Sequence, residues 1–336
     1  MNREIHLASR PSGFPEEANF KLVERAIPEI SDGEVLVRNA YMSVDPSMVG
    51  RMNDVPSYVP PFQIGEPLQG RAAGFVARSN APAFKAGDAV TGSAGWREYY
   101  AAPAAALTKA DTSAAPLSAY LGALGGTGFT AYVGLLDLGK PQPGETVFVS
   151  GAAGGVGSIV GQIAKMKGCR VVGSAGSAAK VAFLRDELGF DAAFNYRDGS
   201  LDAALRETCP GGIDVYFDNV GGEHLRAALD RMNLFGRIPV CGMISQYNAP
   251  TPPPGPANLF NLIVRRVTMT GFIISDHEPR RAAFIQDMST WLRAGLMKNK
   301  ESVTEGIENA PAAFMGMLRG ENIGKALVRI GPDPGR

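Results

Sequence analysis

The chain has 336 residues, 33 Lys+Arg against 33 Asp+Glu for a formal net charge of zero, and 45% hydrophobic residues. That length suits roughly two domains, and a balanced, scattered charge excludes a dedicated nucleic-acid binder, which carries a basic face. No apolar run approaches the ~18 residues of a spanning helix, the opening MNREIHLASR lacks the apolar stretch of a signal peptide, and the cysteines are three and dispersed, Cys169, Cys209 and Cys241. Such a set makes neither a disulfide framework nor a metal cluster, so the expectation is a cytoplasmic protein with reduced, core or near-core thiols and no membrane partner.

Taken in chain order, the first hundred residues carry short β-type runs: EVLVRNAYMSV (Glu34 to Val44), RAAGFVAR (Arg71 to Arg78) and DAVTGSAGWREYYAA (Asp88 to Ala102). Gly65, Pro67, Gly70, Gly74, Gly87, Gly92 and Gly95 punctuate them, which predicts a compact β-rich domain. From about Glu145 the grammar changes. TVFVSG (Thr146 to Gly151) reads as a buried strand, followed by a helix with Val156, Ile159, Val160 and Ile163 at i, i+3, i+4, i+7. RVVGSAG (Arg170 to Gly176) is a second strand and KVAFLRDELG (Lys180 to Gly189) a second helix closed by glycine. AAFNY (Ala192 to Tyr196), IDVYFDNV (Ile213 to Val220), GRIPVCGM (Gly236 to Met243) and TMTGFII (Thr268 to Ile274) continue the strands, with helical segments between. Strands alternating with helices predict a doubly wound parallel sheet. Successive prolines make TPPPGP (Thr251 to Pro256) a rigid surface loop. Near the end, AAFIQDMSTWLRAGL (Ala282 to Leu296) is an amphipathic helix with Ile285, Met288 and Leu292 on one face. PAAFMGMLRG (Pro311 to Gly320) is another, and KALVRI (Lys325 to Ile330) is a last strand that periodicity cannot assign to either sheet.

The chemistry is carried by Ser150–Gly151–Ala152–Ala153–Gly154–Gly155–Val156–Gly157, at a strand–loop–helix junction. Glycines at 151, 154 and 157 meet the demand of a tight turn, then of bare backbone approaching a pyrophosphate at the positive end of a helix. An NAD site places a carboxylate about 20 residues further on to grip the ribose 2′-hydroxyl. Here the second strand ends Gly173–Ser174–Ala175–Gly176–Ser177, with no acid until Asp186 and with Lys180 just beyond. A carboxylate repels a 2′-phosphate and an ammonium attracts it, so the cofactor predicted is NADP(H). Zinc is excluded at the usual place, because residues 1–140 hold no cysteine and only His6. A Ser-His-Asp hydrolase has no G-x-S-x-G elbow to build on, and His224 and His277 lie in polar stretches expected to be exposed.

These strings resemble the zinc-free medium-chain dehydrogenase/reductases of the prostaglandin reductase, curcumin reductase and plant double-bond reductase branch. The likeness rests on VDPSMVGRM (Val44 to Met52), GTGFTAY (Gly126 to Tyr132), SGAAGGVGS (Ser150 to Ser158), FNYR (Phe194 to Arg197), FDNVGG (Phe217 to Gly222), CGMISQYN (Cys241 to Asn248) and AAFMGMLRGENIGK (Ala312 to Lys325). The resemblance implies an α/β architecture with a GroES-like β-rich catalytic domain, residues 1–125 completed by about 305–336, and a Rossmann NADP-binding domain, residues 126–304. It implies reduction of the carbon–carbon double bond of an enone or enal, in a homodimer. Carried over string by string, Gly154, Gly155, Val156 and Gly157 meet the pyrophosphate, Lys180 and Tyr196 the 2′-phosphate, and Asn219 the adenine-side ribose or diphosphate. Cys241, Gly242, Ile244, Ser245 and Tyr247 wrap the nicotinamide half, with Thr130, Phe272, Ile273 and Ile274 beside it and Asn322 bonding from the C-terminal segment.

In such a reaction hydride goes to the β-carbon, the oxyanion of the resulting enolate needs a positioned donor, and a proton goes to the α-carbon. Some relatives carry a tyrosine in a string like L-I-Y-K-R; this chain reads Leu262–Ile263–Val264–Arg265–Arg266, and valine cannot donate. Tyr58, in SYVPPFQIGEP (Ser57 to Pro67), is the substitute donor, or else an aromatic lining of the pocket. Two other functions compete: a quinone oxidoreductase of the same superfamily, and a non-catalytic NADP-binding protein.

Overall fold

The computed structural model describes residues 1–334 apart from Pro56, Pro250 and Pro252, so part of the proline-rich loop lies outside the described residues. The chain divides into two units, Met1–Gly122 with Glu301–Asn322 and Ala326–Arg336, and Ala123–Lys300 with Ile323–Lys325.

The first unit is built on antiparallel pairing. Its seven-stranded sheet runs Glu301–Glu305, Lys325–Arg329, Glu34–Ser43, Ala72–Ser79, Ala89–Gly92 and Thr108–Lys109, with Tyr99–Pro103 also paired to Glu34–Ser43. Strand periodicity sends Val35, Val37, Val76, Val90 and Tyr100 into one apolar cluster. Residues of the same long strand, Ala40 and Tyr41, join Ala73, Leu117 and Leu327 in another. The last strand therefore buries its Leu327 here, opposite Ser43. The run Asp88 to Ala102 is two strands, not one. It breaks at Gly95 and Trp96, where Trp96 takes φ 66° and is wholly buried against Phe20 and Phe314.

The second unit is a six-stranded parallel sheet in the order Ala192–Asn195, Arg170–Ala175, Thr146–Val149, Ile213–Phe217, Met232–Val240, Thr268–Gly271. Strand order reverses between Thr146–Val149 and Ile213–Phe217, and such a reversal is where open α/β sheets leave a crevice at the strands' carboxyl ends. The strands are apolar on both faces because helices cover both, and Val147, Phe148, Val149, Val171 and Val172 are buried accordingly. Helix Gly155–Met166 buries Ile159, Val160 and Ile163 as its spacing requires.

Three local readings differ from the structure. The strand before Ile274 stops at Gly271, and Ile274 opens a tight 3₁₀ turn. The segment after Ser177 starts as α-helix, Ala178–Ala182, then widens into a π-type turn, Phe183–Glu187, before Gly189 ends it at φ +69°. In helix Arg281–Arg293 the buried positions are Phe284 and Met288, while Ile285 is exposed.

Candidate active site

Because all six strands of the second unit run the same way, their carboxyl ends deliver their following residues to one edge of the sheet. Strand Thr146–Val149 leads into the glycine turn, Arg170–Ala175 into Gly176, Ser177 and Lys180, and Ala192–Asn195 into Tyr196 and Arg197. Ile213–Phe217 leads into Asp218 and Asn219, Met232–Val240 into Cys241 to Tyr247, and Thr268–Gly271 into Phe272 to Ile274. Parallel topology thus gathers most of the predicted cofactor residues on one edge. Thr130, on helix Gly126–Val133, is in the same unit, whereas Tyr58 and Asn322 belong to the other.

The glycine turn has a separate reason for each glycine. Gly151 sits at φ +58°, the left-handed conformation that favours glycine. Gly154 caps the helix in extended conformation, and a Cβ there would find only the Gly151 carbonyl oxygen, at 3.3 Å, so its outer side is open. At Gly157 a Cβ would lie 2.6 Å from the Gly151 oxygen and 2.8 Å from the Ala152 Cα, which leaves room for no side chain. The first-turn amides of helix Gly155–Met166 have no acceptor within their own helix, and the helix dipole adds positive potential. This cradle fits a pyrophosphate.

The turn is held from inside by a residue the sequence reading missed. Asp218, wholly buried, accepts at a single oxygen, Oδ1, from Tyr216 Oη (2.6 Å), Ser150 Oγ (3.2 Å), and the amides of Val220 (2.9 Å) and Gly221 (2.8 Å). Its backbone carbonyl accepts from the amides of Cys241 (2.8 Å) and Gly242 (3.1 Å). One residue therefore ties together three loops: the start of the glycine turn, the FDNVGG turn and the CGMIS loop. Burial pushes its carboxyl above the usual value of 3.8, opposed by the four hydrogen bonds. An acid directly after the apolar run Val215–Tyr216–Phe217 was the signal available in the sequence.

Asn219 continues the same bracing. Its amide donates to Ser150 Oγ (3.1 Å) and its Nδ2 to the Ser150 carbonyl (2.8 Å), so its side chain secures the first residue of the glycine turn. In the next loop, the Met243 amide donates to Tyr247 Oη at 3.2 Å, folding that ring back over Gly242. Burial, then Asp218, raises the Cys241 thiol to about 12, which removes it as a nucleophile. Phe272 packs edge-on to Phe217 with ring centroids 6.5 Å apart and closes on Gly134, where a Cβ would meet it at 2.6 Å. Thr130 Oγ1 donates to the Gly126 carbonyl one turn back, at 2.8 Å.

At the second and outermost strand ends the charge is positive. Ser177 caps helix Ala178–Ala182 by accepting from the Lys180 amide, and Lys180 has its pKa lowered by burial and then by Arg197. Arg197 stands 5.6 Å from the centre of the Tyr196 ring, and Tyr196 Oη lies over the bare Cα of Gly176. Two neighbouring cations, with Arg197 lowering the affinity of Lys180 for its proton, suit a bound dianion. Arg197 was missed in the sequence, although its adjacency to Tyr196 was the signal. The expectation that His224 is exposed is corrected: it is buried, with its ring edge-on to Tyr196 at 5.1 Å, because helix Gly222–Leu229 turns it inward beside the sheet.

In the first unit, Tyr58 is 64% exposed beside an open pocket of about 690 Å³ that Val55, Tyr58, Pro60 and Pro61 help to line. Arg51, on the short helix Met48–Met52, anchors this segment. Its Nε donates to the Pro60 carbonyl (3.0 Å), its Nη2 to Gln69 Oε1 (2.9 Å), and its guanidinium stacks 4.1 Å from the Phe62 ring centre. Val264 is half-exposed on helix Asn261–Arg265. No cluster of three or more His, Cys, Asp or Glu disposed to hold a metal occurs among the described residues.

Comparison with known proteins agrees with this architecture. Residues 3–110 match a family model described as the N-terminal domain of oxidoreductase, and residues 155–291 one described as zinc-binding dehydrogenase. The chain is 43% identical over 337 residues to the NADPH-dependent curcumin reductase of Escherichia coli, covering 99% of this chain and 98% of that protein. It is 44% identical over 336 residues to the NADP-dependent 2-alkenal reductase of Nicotiana tabacum, covering 98% and 97%. The crystal structure of CurA from Vibrio vulnificus in complex with NADPH is 42% identical and superimposes with a TM-score of 0.95 over 98% of this chain and 100% of that one. With identities this high over nearly the whole length, the chain belongs to the medium-chain dehydrogenase/reductase family, in the zinc-free branch of the prostaglandin, curcumin and alkenal double-bond reductases.

Proposed function

We propose that the protein is an NADPH-dependent reductase of the carbon–carbon double bond of α,β-unsaturated ketones and aldehydes. The observation that carries this reading is the glycine turn at the strand-order reversal, followed by a second strand end that offers Lys180 where an NAD site would offer a carboxylate, with Tyr196 and Arg197 from the neighbouring outermost strand. The names of the curcumin and alkenal reductases to which it is similar support the substrate class. Gly154 to Gly157 hold the pyrophosphate, Lys180 and Tyr196 the 2′-phosphate, and Asn219 keeps the turn in shape. Cys241 to Tyr247, Thr130, Ile273, Ile274 and Asn322 serve the nicotinamide half, and Phe272 supports it from beneath.

Bound there, NADPH supplies a hydride equivalent to the β-carbon of the enone. The protein's own tasks are to donate a hydrogen bond to the enone oxygen as negative charge gathers on it, and to deliver a proton to the α-carbon. Tyr58, in the catalytic first domain, is the donor proposed for the proton. A strong acid is not required, because an enolate is itself a good proton acceptor. The test is to mix purified protein and NADPH with enones, enals and quinones and identify products by mass. Saturated ketones and aldehydes, with NADH much the poorer donor, are the expected result. NADPH oxidation with quinones alone, or binding without any turnover, would overturn it.

We further infer a cytoplasmic homodimer. Strand Thr268–Gly271 ends the sheet order among the described residues, and near it Phe260 (69% exposed), Ile263 (70%), Val264 and Met269 present apolar surface to solvent. An open strand edge flanked by such residues is a liability in a monomer and is self-complementary about a two-fold axis. Sedimentation should report a dimer, and Ile263→Asp should shift it toward monomer. The three cysteines are free thiols, in keeping with a reducing compartment.

A further inference from the structure

The cofactor reading accounts for Lys180 and Tyr196 but not for what holds the tyrosine in place. Tyr196 follows the outermost strand of the sheet, at the partly exposed end of a short element, and its amide donates to the Ala175 carbonyl at 3.1 Å. One edge of its ring lies over Gly176, where a Cβ would stand 3.2 Å from Tyr196 Oη and crowd the ring. Arg197 comes within 5.6 Å of the ring centre. The remaining support is His224, from the first turn of helix Gly222–Leu229. Its ring meets that of Tyr196 at 5.1 Å between centroids with 76° between planes, an edge-to-face contact.

His224 has no other evident task. It is 5% exposed, its Nε2 is buried with no hydrogen-bond partner among the described residues, and burial drops its pKa to about 4. At neutral pH it is therefore an uncharged flat ring. Being neutral, it neither competes with Lys180 and Arg197 for an anion nor adds to their mutual repulsion. What it offers is a wall.

We propose that His224 is a positioning residue for the 2′-phosphate subsite: it braces Tyr196 from the interior so that the tyrosine hydroxyl stays above Gly176. This rests on the NADPH reading, since it gives Tyr196 a purpose only if a 2′-phosphate is bound there. His224 thereby sets the preference of the site for a phosphorylated ribose without touching it.

The experiment is calorimetric binding of 2′,5′-ADP and of 5′-AMP, which differ by the 2′-phosphate, to the full chain and to five variants: His224→Ala, His224→Leu, His224→Phe, Tyr196→Phe and Lys180→Ala. His224→Ala and His224→Leu should weaken 2′,5′-ADP by about two- to tenfold, the equivalent of one aromatic contact, and leave 5′-AMP unchanged. His224→Phe, which restores a flat ring, should recover most of the loss. The leucine variant fills the volume and keeps the test informative if the alanine variant does not fold. Equal weakening of both nucleotides would make His224 a merely structural residue, and no weakening of either would remove it altogether; each outcome overturns the proposal. If Tyr196→Phe and Lys180→Ala leave the ratio of the two affinities unchanged, the 2′-phosphate reading itself fails and takes the role of His224 with it. If those two variants lose the ratio while His224→Leu retains it, only the role of His224 is overturned.

Discussion

The sheet edge of the second unit and the Tyr58 segment of the first hold their functional groups by opposite means. On the sheet edge nearly every group is tied from below. Asp218 receives four hydrogen bonds on one oxygen, Ser150 receives the Asn219 amide, and Gly157 sits where no side chain fits. Tyr58 itself is exposed, and order around it comes from a few side chains gripping its neighbours, Arg51 on Pro60 and Phe62 and Gln63 on the Pro61 carbonyl. The lesson is one of division. A cofactor common to many reductases is met by backbone with a fixed shape, whereas the group proposed to meet a varying substrate stands on an open segment that costs little to reshape.

Four perturbations would break or sharpen that contrast, taken from the largest expected effect to the smallest. Asp218→Ala should be the most damaging, since it strands two amides and two hydroxyls in the interior. We expect a loss of about 3–5 kcal/mol in unfolding free energy by chemical denaturation. Asp218→Asn, which keeps one acceptor, isolates the charge. Because the folded carboxyl titrates above its ordinary 3.8, the native state holds its proton more tightly than the unfolded chain does. That contribution to stability is present at low pH and is lost as pH rises through the window above 3.8. The asparagine variant should lack this slope when melting temperature is followed against pH; an identical slope in both proteins would place the charge elsewhere.

Tyr58→Phe tests the other region. Loss of a proton donor should lower kcat by roughly 100-fold, with NADPH affinity and melting temperature unchanged because the residue is exposed. A normal kcat would leave Tyr58 only a lining role. Gly157→Ala should then cost about 1–3 kcal/mol as the helix start moves away from Ala152, read by fluorescence titration as weaker binding of NADPH and NADH alike. Lys180→Ala should weaken NADPH by about tenfold, a typical magnitude for one charge-assisted hydrogen bond, while NADH is unaffected. Equal loss for both cofactors would contradict its placement at the 2′-phosphate.

Much of the sheet edge was legible beforehand because its signals are local. A strand of buried length, three spaced glycines and a helix period name a dinucleotide turn without reference to any other part of the chain. The missing acid after Arg170–Ala175 was equally local. Asp218 was not, because its importance lies in where four donors from different segments converge, and no spacing rule encodes convergence. His224 was misjudged for a related reason. Its neighbours in sequence are polar, but helix Gly222–Leu229 turns that position toward the sheet. In helix Arg281–Arg293 the apolar stripe was read as running through Ile285, whereas the buried positions are Phe284 and Met288. Both lines satisfy a helical period, and only the facing residues, Phe129 and Tyr132 against Phe284, choose between them.

By itself the sequence determined the alternation of strands and helices, the glycine turn and the positive character of the second strand end, since each depends on residues within a turn or two of one another. Tertiary structure, and not periodicity, decided which sheet takes the final strand, as the family resemblance implied, and it alone decided which acid locks three loops together and that a histidine stands behind Tyr196. Those outcomes depend on contacts between residues far apart in the chain: Leu327 opposite Ser43, Asp218 with Ser150, His224 with Tyr196. Local periodicity carries no information about them, because burial is a property of what a face packs against and not of the face alone.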